Sequence, residues 1–168
     1  ALLAAPLALV LGHALAHLRG RARLASLAAL VPISVPAILF GIGGIALWNN
    51  AVTGAVYGSG AMAVLLFVGR FAPFAVLAFA SAVAMLDPRL EEAAQLAGAG
   101  PARRLVRIVA PPLVPALLGG MILVFVLSLR ELDAAILVPA ANDTVLFRLY
   151  NAVHFGRDDF VAALALLV

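Results

Sequence analysis

The stretch EEAAQLAGAGPARRLVRIVAPPLVP, residues 91–115, places acids, small residues, arginines and prolines in succession between two long apolar runs. The whole chain is 65% hydrophobic and 11% charged over 168 residues, whereas soluble domains are about 45–50% apolar and about 25% charged. This composition predicts an integral membrane chain. The absence of cysteine excludes disulfides, thiolate metal sites and cysteine nucleophiles. A net charge of +3 gives no indication of nucleic-acid binding.

Five apolar runs have the length or the position of membrane spans. A crossing needs about 20 apolar residues, and the runs are 1–18, 24–48, 59–86, 108–129 and one that starts near Phe160. They are continuously apolar and do not alternate, which favours helices over outer-membrane strands. The predicted fold is an all-α polytopic membrane helix bundle of about five transmembrane helices, in one domain covering 1–168. We also expect the chain to be truncated at both ends, because each end lies inside an apolar run.

The arginines predict the orientation of the bundle. Seven of the 11 basic residues fall in two alternate connections, 19–23 and 89–107, which the positive-inside rule assigns to the cytoplasm. The polar segment 140–159 then lies on the outer side as a short helix or loop. A signal peptide at 1–18 is the alternative for the first run, and the missing basic n-region argues against it.

The connection at 87–107, which we name the 87–107 loop, has the capping residues of two short helices. Asp87 suits a helix N-cap and Pro88 the first helical position. Gly98 or Gly100 can end that helix in a left-handed conformation, and Pro101 suits the start of a second helix. We expect a helix, a glycine turn and a second helix that leads into the span at Ile108. A solvated connector with a polar face is the alternative interpretation.

The spacing in this loop resembles a known signature. Glu92-Ala93-Ala94, three residues, Gly98, nine residues, Ile108, two residues and Pro111 is similar to the EAA signature of type I ABC importer permeases. HLRGRARLASLAALVPISVPAILFGIG and GRFAP also resemble segments of that family, and SLRELDAAILV resembles its ferric-iron-type branch. The resemblance covers essentially the whole chain. Ala110 departs from it mildly, since the signature usually has leucine there.

The resemblance implies that the 87–107 loop contains a coupling helix, which docks into a cleft on a cytosolic ATPase. Glu92 would make a charged contact with the ATPase, Ala93 and Ala94 would pack against it, and Gly98 would form the turn. Glu91 and Arg103 belong to the same set of ATPase-coupling residues. The chain has no phosphate-binding loop of the G-x-x-x-x-G-K-[ST] kind. We therefore expect no enzyme activity and no cofactor in this chain, with ATP bound and hydrolysed by the partner.

The resemblance also implies partners and a location. It implies a cytosolic ABC ATPase dimer, a second permease half or a second copy, an external substrate-binding protein and the lipid bilayer of the bacterial inner membrane. The SLRELDAAILV segment favours ferric iron as substrate, and polyamine, thiamine, phosphonate or oxyanion stay open as alternatives. An ion-coupled secondary transporter is the alternative of another class. An intramembrane hydrolase is disfavoured, since no H-E-x-x-H and no second in-span aspartate accompany Asp133.

Four charged residues are predicted inside the spans or at their outer ends: Arg70, Arg130, Glu131 and Asp133. A charge in a span costs at least about 2.5–3.5 kcal/mol, so each needs a partner or a cavity. We expect Arg130 and Asp133 to share a helical face and Arg70 to meet the acids at similar depth. These residues either line the substrate pathway and its outer gate or form a self-neutralising structural network.

Two histidines, His13 and His17, are four residues apart in the first apolar run. Their spacing places them on one helical face as a possible pair of metal ligands. A third ligand near them is not evident in the sequence, and we therefore predict no metal site.

Overall fold

The computed structural model of the protein describes residues 1–18, 22–137, 144–155 and 161–162. Within these ranges every regular element is helical, which confirms the predicted all-α class. The helices are α1 Ala4–Ala16, α2 Ala22–Ala29, α3 Val31–Ser34, α4 Ala37–Trp48, α5 Gly54–Tyr57, α6 Gly60–Val83, α7 Pro88–Leu96, α8 Pro101–Arg104, α9 Pro111–Leu129 and α10 Val145–His154. π-helical turns lie at Ala8–Gly12, inside α1, and at Leu105–Val109, between α8 and α9; 3-10 turns lie at Pro111–Leu113, which opens α9, and at Ala135–Leu137.

The long helix α6 is the centre of the fold. Its 24 residues begin at a Ser59 cap, whose hydroxyl oxygen accepts a hydrogen bond from the Ala61 N–H at 3.3 Å. α1 packs against one side of α6 and α9 against another. Phe79 of α6 is fully buried among residues from both neighbours, with Ala4 and Val124 also at 0% exposure. Van der Waals packing of this kind holds membrane helices together where lipid is as apolar as the side chains.

Two glycines bring the neighbouring helices close to α6. A Cβ added at Gly120 of α9 would lie 3.0 Å from the Cα of Ala75, and one added at Gly12 of α1 would lie 2.8 Å from the carbonyl oxygen of Val76. Small residues at such crossings let two backbones approach each other. Gly120 therefore lies at a close crossing of α9 and α6, whereas a Cβ added at Gly119 would meet open space.

The predicted second span, 24–48, is not one continuous helix. α3 ends at Ser34, Val35 is extended with φ −76° and ψ 131°, and α4 starts at Ala37. The cause is Pro36, which has no N–H to donate to the carbonyl oxygen of Pro32 four residues earlier. The apolar run 24–48 therefore continues through a backbone break at Val35 and Pro36.

The number of spans is supported only in part. By length and composition, two of the described helices can cross a membrane, α6 and α9, while α1 and α4 are shorter apolar helices. The predicted fifth span starts near Phe160 and lies almost entirely outside the described residues. In the segment 140–159, α10 is the short helix that we expected, and the hydroxyl of Thr144 caps it by accepting a hydrogen bond from the Phe147 N–H at 3.2 Å.

Candidate functional site

The 87–107 loop forms the helix, turn and helix that its capping residues predict. The Asp87 carboxylate accepts a hydrogen bond from the Arg89 N–H at 3.0 Å, and Pro88 is the first residue of α7. Gly98 has φ +79°, a left-handed conformation that favours glycine. Around it the Gly98 N–H donates to Gln95 and the Ala99 N–H to Ala94, at 2.9 and 3.0 Å. These two bonds form a Schellman motif, which fixes the exit of the chain from α7.

A side-chain bond ties the two helices of the loop together. Arg104 of α8 donates from Nη1 to the Oε1 atom of Gln95 in α7 at 2.9 Å. Arg103 belongs to the predicted coupling set, whereas no contact was predicted for Arg104 or Gln95. Arg103 is exposed, whereas Arg104 is half-buried against α7. A polar residue at the end of α7, opposite an arginine in the next helix, is the signal that could have predicted this bond.

The signature residues of α7 divide between two faces. Glu92 and Ala93 are exposed, and the neighbouring Leu96 is 90% exposed. Ala94 and Glu91 are partly covered, on the side of α7 that turns toward the rest of the protein. The face with the acid, the small residue and the leucine is therefore open to a partner. Leu96 was not in the predicted set, although an exposed leucine next to the signature belongs to this face.

Glu91 contacts His13 in the last turn of α1 and His17 directly after it. Its carboxylate oxygens lie 3.1 and 3.3 Å from His13 Nε2, and Oε1 lies 3.4 Å from His17 Nε2. The expectation that no third ligand lies near these histidines is wrong. It failed because Glu91 is 78 positions from His13 in the chain and reaches it only when α7 packs beside the end of α1.

Arg70 meets an acid of the 130–133 segment, as expected, and that acid is Glu131. Arg70 Nε lies 3.4 Å from Glu131 Oε2, and both side chains are 11% exposed. This contact is a charge pair and not a hydrogen bond, since Arg70 Nε has no hydrogen-bond partner among the described residues. Arg70 Nη1 donates to the carbonyl oxygens of Pro32 and Val35, at 3.3 and 2.9 Å. Arg70 therefore joins Glu131 to the break between α3 and α4.

The expected shared helical face of Arg130 and Asp133 is not found. α9 ends at Leu129, and the chain leaves the helix at Arg130. Arg130 and Asp133 are both exposed, and no ion pair joins either of them to Arg70 within the part of the chain that the structure describes. The early end of the helix places Glu131 inward and Asp133 outward.

Glu131 also lines a cavity of about 200 Å³ between α6, α9 and the start of α10. Phe67 and Phe125 provide aromatic walls, and Ser128 and Thr144 provide hydroxyl groups. A carboxylate beside aromatic faces is an arrangement that suits an organic cation. The structure therefore brings Arg70 and Glu131 to one site and leaves Arg130 and Asp133 outside it.

Comparison with known proteins decides the family. The family described as binding-protein-dependent transport system inner membrane component matches residues 4–168. The chain belongs to this family. The permease is also 33% identical over 96 residues to the putrescine transport system permease protein PotI of Escherichia coli strain K12, and equally to that of Escherichia coli O6:H1 strain CFT073. The match covers 56% of the permease and 34% of each relative, so the chain spans about a third of the length of these relatives.

The family membership bears on several predictions. Members of the family and both relatives are transport permeases. This confirms the prediction that the chain is not an enzyme. A family of inner-membrane components, together with two helices able to cross a bilayer, supports a membrane location. The ferric-iron branch receives no support, because both relatives are named for putrescine transport.

Proposed function

We propose that residues 1–168 form the transmembrane domain of a permease subunit in an ATP-driven importer of the bacterial inner membrane. The subunit pairs with a second permease half or a second copy, binds a cytosolic ATPase dimer through the 87–107 loop, and receives substrate from an external binding protein. The observation that carries this proposal is the open face of α7, where Glu92, Ala93 and Leu96 are exposed on a helix with both ends fixed.

The composition of this face suits a docking partner. Leu96 supplies apolar contact area, Ala93 lets the partner approach the helix backbone, and Glu92 supplies a charge at the edge. Interfaces of this kind combine a small apolar centre with charged groups that set orientation. In the proposed complex, a basic group on the ATPase faces Glu92.

The loop is built to pass a displacement into the bundle. The Schellman motif at Gly98 and the bond from Arg104 to Gln95 join α7 to α8. α8 continues through the π-helical turn Leu105–Val109 into α9, and α9 packs against α6. Closure of the ATPase dimer would move α7, and the connected helices would switch the pathway between inward and outward access. This is a chain of packed elements, the physical basis of coupling between distant sites.

We propose a polyamine as the class of substrate. The support is twofold: both relatives are named for putrescine transport, and Glu131 lines a cavity walled by Phe67 and Phe125. An aliphatic diamine is a dication, which a carboxylate pairs with and aromatic faces attract.

The test is ATP-dependent uptake by the full transporter, reconstituted in proteoliposomes with its ATPase and its binding protein. We expect uptake of labelled putrescine that requires ATP, and loss of both uptake and ATPase co-purification in Glu92→Lys. Asn49→Lys is the matched control for co-purification, since Asn49 is exposed in a different connection of the chain and the ATPase should stay bound.

The outcomes separate the two parts of the proposal. Uptake that continues without ATP, or a permease that binds no ATPase, would contradict the importer and favour the ion-coupled secondary transporter. ATPase binding that persists in Glu92→Lys would contradict the docking role of Glu92. ATP-dependent uptake of ferric iron in place of putrescine would overturn the polyamine proposal and leave the importer standing.

A further inference from the structure

Three side chains from two distant parts of the chain meet where α1 ends beside α7. His13 lies in the last turn of α1, His17 is the residue that follows α1, and Glu91 extends from the first turn of α7. One donor atom from each residue lies within 4.8 Å of the other two. Two imidazole nitrogens and a carboxylate oxygen form a set of ligands common at transition-metal sites.

The hydrogen bond that His17 makes through Nδ1 indicates that its other ring nitrogen, Nε2, is a hydrogen-bond acceptor and faces Glu91. His17 Nδ1 lies 2.8 Å from the carbonyl oxygen of His13. A carbonyl only accepts, so Nδ1 carries the hydrogen and, in the neutral ring, Nε2 carries a lone pair. That lone pair faces Glu91 Oε1 across 3.4 Å. Two acceptors face each other, and a cation between them, a proton or a metal ion, makes the contact favourable.

The same hydrogen bond is the one that metal-binding histidines make. A histidine that binds a metal through one nitrogen almost always donates its other N–H to a carbonyl, a carboxylate or water, which fixes the ring and its tautomer. The bond from His17 to the His13 carbonyl has this form. His17 is therefore already oriented with Nε2 toward the carboxylate.

We propose that His13, His17 and Glu91 bind a divalent transition-metal ion of the zinc class. Bonds of about 2.0–2.2 Å in a tetrahedral site separate the ligand atoms by about 3.3 Å. From Glu91 Oε1 the observed separations are 3.3 Å to His13 Nε2 and 3.4 Å to His17 Nε2, and the three ligand atoms all lie within 4.8 Å of one another. Mg²⁺ and Ca²⁺ prefer all-oxygen ligands, so two imidazoles select against them.

The site has an entry path and room for a fourth ligand. A cavity of about 290 Å³ is lined by His17, Glu91 and Asp87 together with Ala16 at the end of α1 and apolar residues between the end of α6 and the start of α7. The His17 side chain is 53% exposed, whereas those of His13 and Glu91 are 22% and 17% exposed. Two ligands are thus held by packing while the third faces the cavity, where a water molecule can complete the coordination.

A metal at this position would fasten α7 to α1. Glu91 is the inward residue of α7, and Glu92 beside it is exposed. Metal binding would therefore restrain the helix that carries the proposed ATPase-docking face without covering that face. This property goes beyond transport itself and does not depend on the substrate.

The direct test of the site is zinc binding to the full permease. The protein is purified in detergent and freed of metal with a chelator. By equilibrium dialysis we expect one Zn²⁺ per chain, with no competition from excess Mg²⁺. Glu91→Gln, which keeps the shape of the side chain, should weaken binding by about 100-fold or more, because loss of a group that only hydrogen-bonds a metal ligand already costs about 10–100-fold. His13→Ala and His17→Ala should have effects of similar size.

Two matched controls separate this site from binding elsewhere. His154→Ala removes a histidine whose Nδ1 bonds the carbonyl oxygen of Tyr150, the arrangement that His17 makes with His13, but without a carboxylate contact among the described residues. Glu92→Gln removes the neighbouring exposed acid. Both should bind zinc as the unaltered chain does. Equal zinc binding by the unaltered chain and by Glu91→Gln, or loss of binding in His154→Ala alone, would overturn the proposal.

Two further measurements test the site, and the second uses the unaltered chain alone. Co²⁺ should produce visible d–d absorption bands in the unaltered chain that are absent in Glu91→Gln. Zn²⁺ should slow amide hydrogen exchange in 88–96 of the unaltered chain, since it fastens α7 to α1. Zinc binding without any change in the exchange of 88–96 would show that the metal does not join the two helices, and would contradict the site as described.

Discussion

Arg70 donates a hydrogen bond to the carbonyl oxygen of Pro32, 3.3 Å away. This carbonyl lacks a helical donor, because the residue four positions later is Pro36. The same guanidinium bonds the Val35 carbonyl and pairs with Glu131. One arginine therefore satisfies the backbone at a helix break and neutralises a mostly buried acid. This gives Arg70 a structural role, whether or not it also borders the substrate pathway.

Arg70→Leu should destabilise the permease by about 3–5 kcal/mol, the cost of removing one partner from a buried ion pair. The variant leaves Glu131 unpaired and two carbonyls without their donor. The measurement is the unfolding midpoint in detergent micelles. A loss below about 1 kcal/mol would show that Arg70 is not holding the break.

A double-mutant cycle identifies the acid that Arg70 pairs with. Arg70→Leu and Glu131→Leu should couple by about 1 kcal/mol or more, because residues in direct contact show interaction energies of about 0.5–3 kcal/mol. Arg70→Leu and Asp133→Ala should be additive within about 0.5 kcal/mol. The reverse ranking would favour Asp133 as the partner.

Gly98→Ala should strain the turn after α7. Gly98 has φ +79°, and a left-handed residue with a Cβ costs about 1–2 kcal/mol. We expect faster amide exchange in 88–96 and weaker ATP-coupled uptake. Gly100→Ala is the matched control, since Gly100 has φ −66° and an added Cβ meets open space. Equal effects of the two substitutions would contradict a conformational role for Gly98.

Gly120→Ala should push α9 away from α6. Its added Cβ would lie 3.0 Å from the Ala75 Cα, and overpacking of this kind costs about 1–3 kcal/mol. Gly119→Ala meets open space and should be neutral or stabilising, since alanine is the better helix former. Thermal unfolding of the two variants in the same detergent gives the comparison, and a lower midpoint for Gly119→Ala would invert the predicted packing.

Arg104→Ala should loosen the two helices of the 87–107 loop. It removes the bond to Gln95, and a bond of this kind contributes about 1 kcal/mol. Amide exchange in 88–104 should become about fivefold faster, a factor that corresponds to about 1 kcal/mol. Gln95→Ala should have the same effect and add little to it in the double variant. Arg103→Ala serves as the control, with exchange unchanged.

The 87–107 loop was predictable because its structure depends on local chemistry. A cap, a first-turn proline and a glycine turn each follow from a residue and its near neighbours, and Asp87, Pro88, Gly98 and Pro101 all take the predicted positions. The meeting of Arg70 with an acid was also predictable, since a charge inside a span needs a partner.

The remaining features depend on where helices end and how they pack. The break at Pro36 has a local cause, since the proline lacks an N–H, but the apolar length of the run does not show it. The choice of Glu131 over Asp133 follows from the end of α9 at Leu129, which no residue in that segment marks. The contact between Glu91 and His13 joins positions 78 apart, and only the packing of α7 beside α1 produces it.

The π-helical turn at Leu105–Val109 has a consequence for chain length. Its closing bond runs from the Ala110 N–H to the Leu105 carbonyl over 2.8 Å, and such an i→i+5 turn holds one residue more than an α-helical turn. Deleting one residue there would convert it to an α-helical turn and preserve the rotational phase of α9. The same deletion between 114 and 119 would rotate the two parts of the helix by about 100° and turn Gly120 away from Ala75. The chain can therefore lose one residue at the entrance of α9, whereas a deletion within α9 would change which side chains face α6.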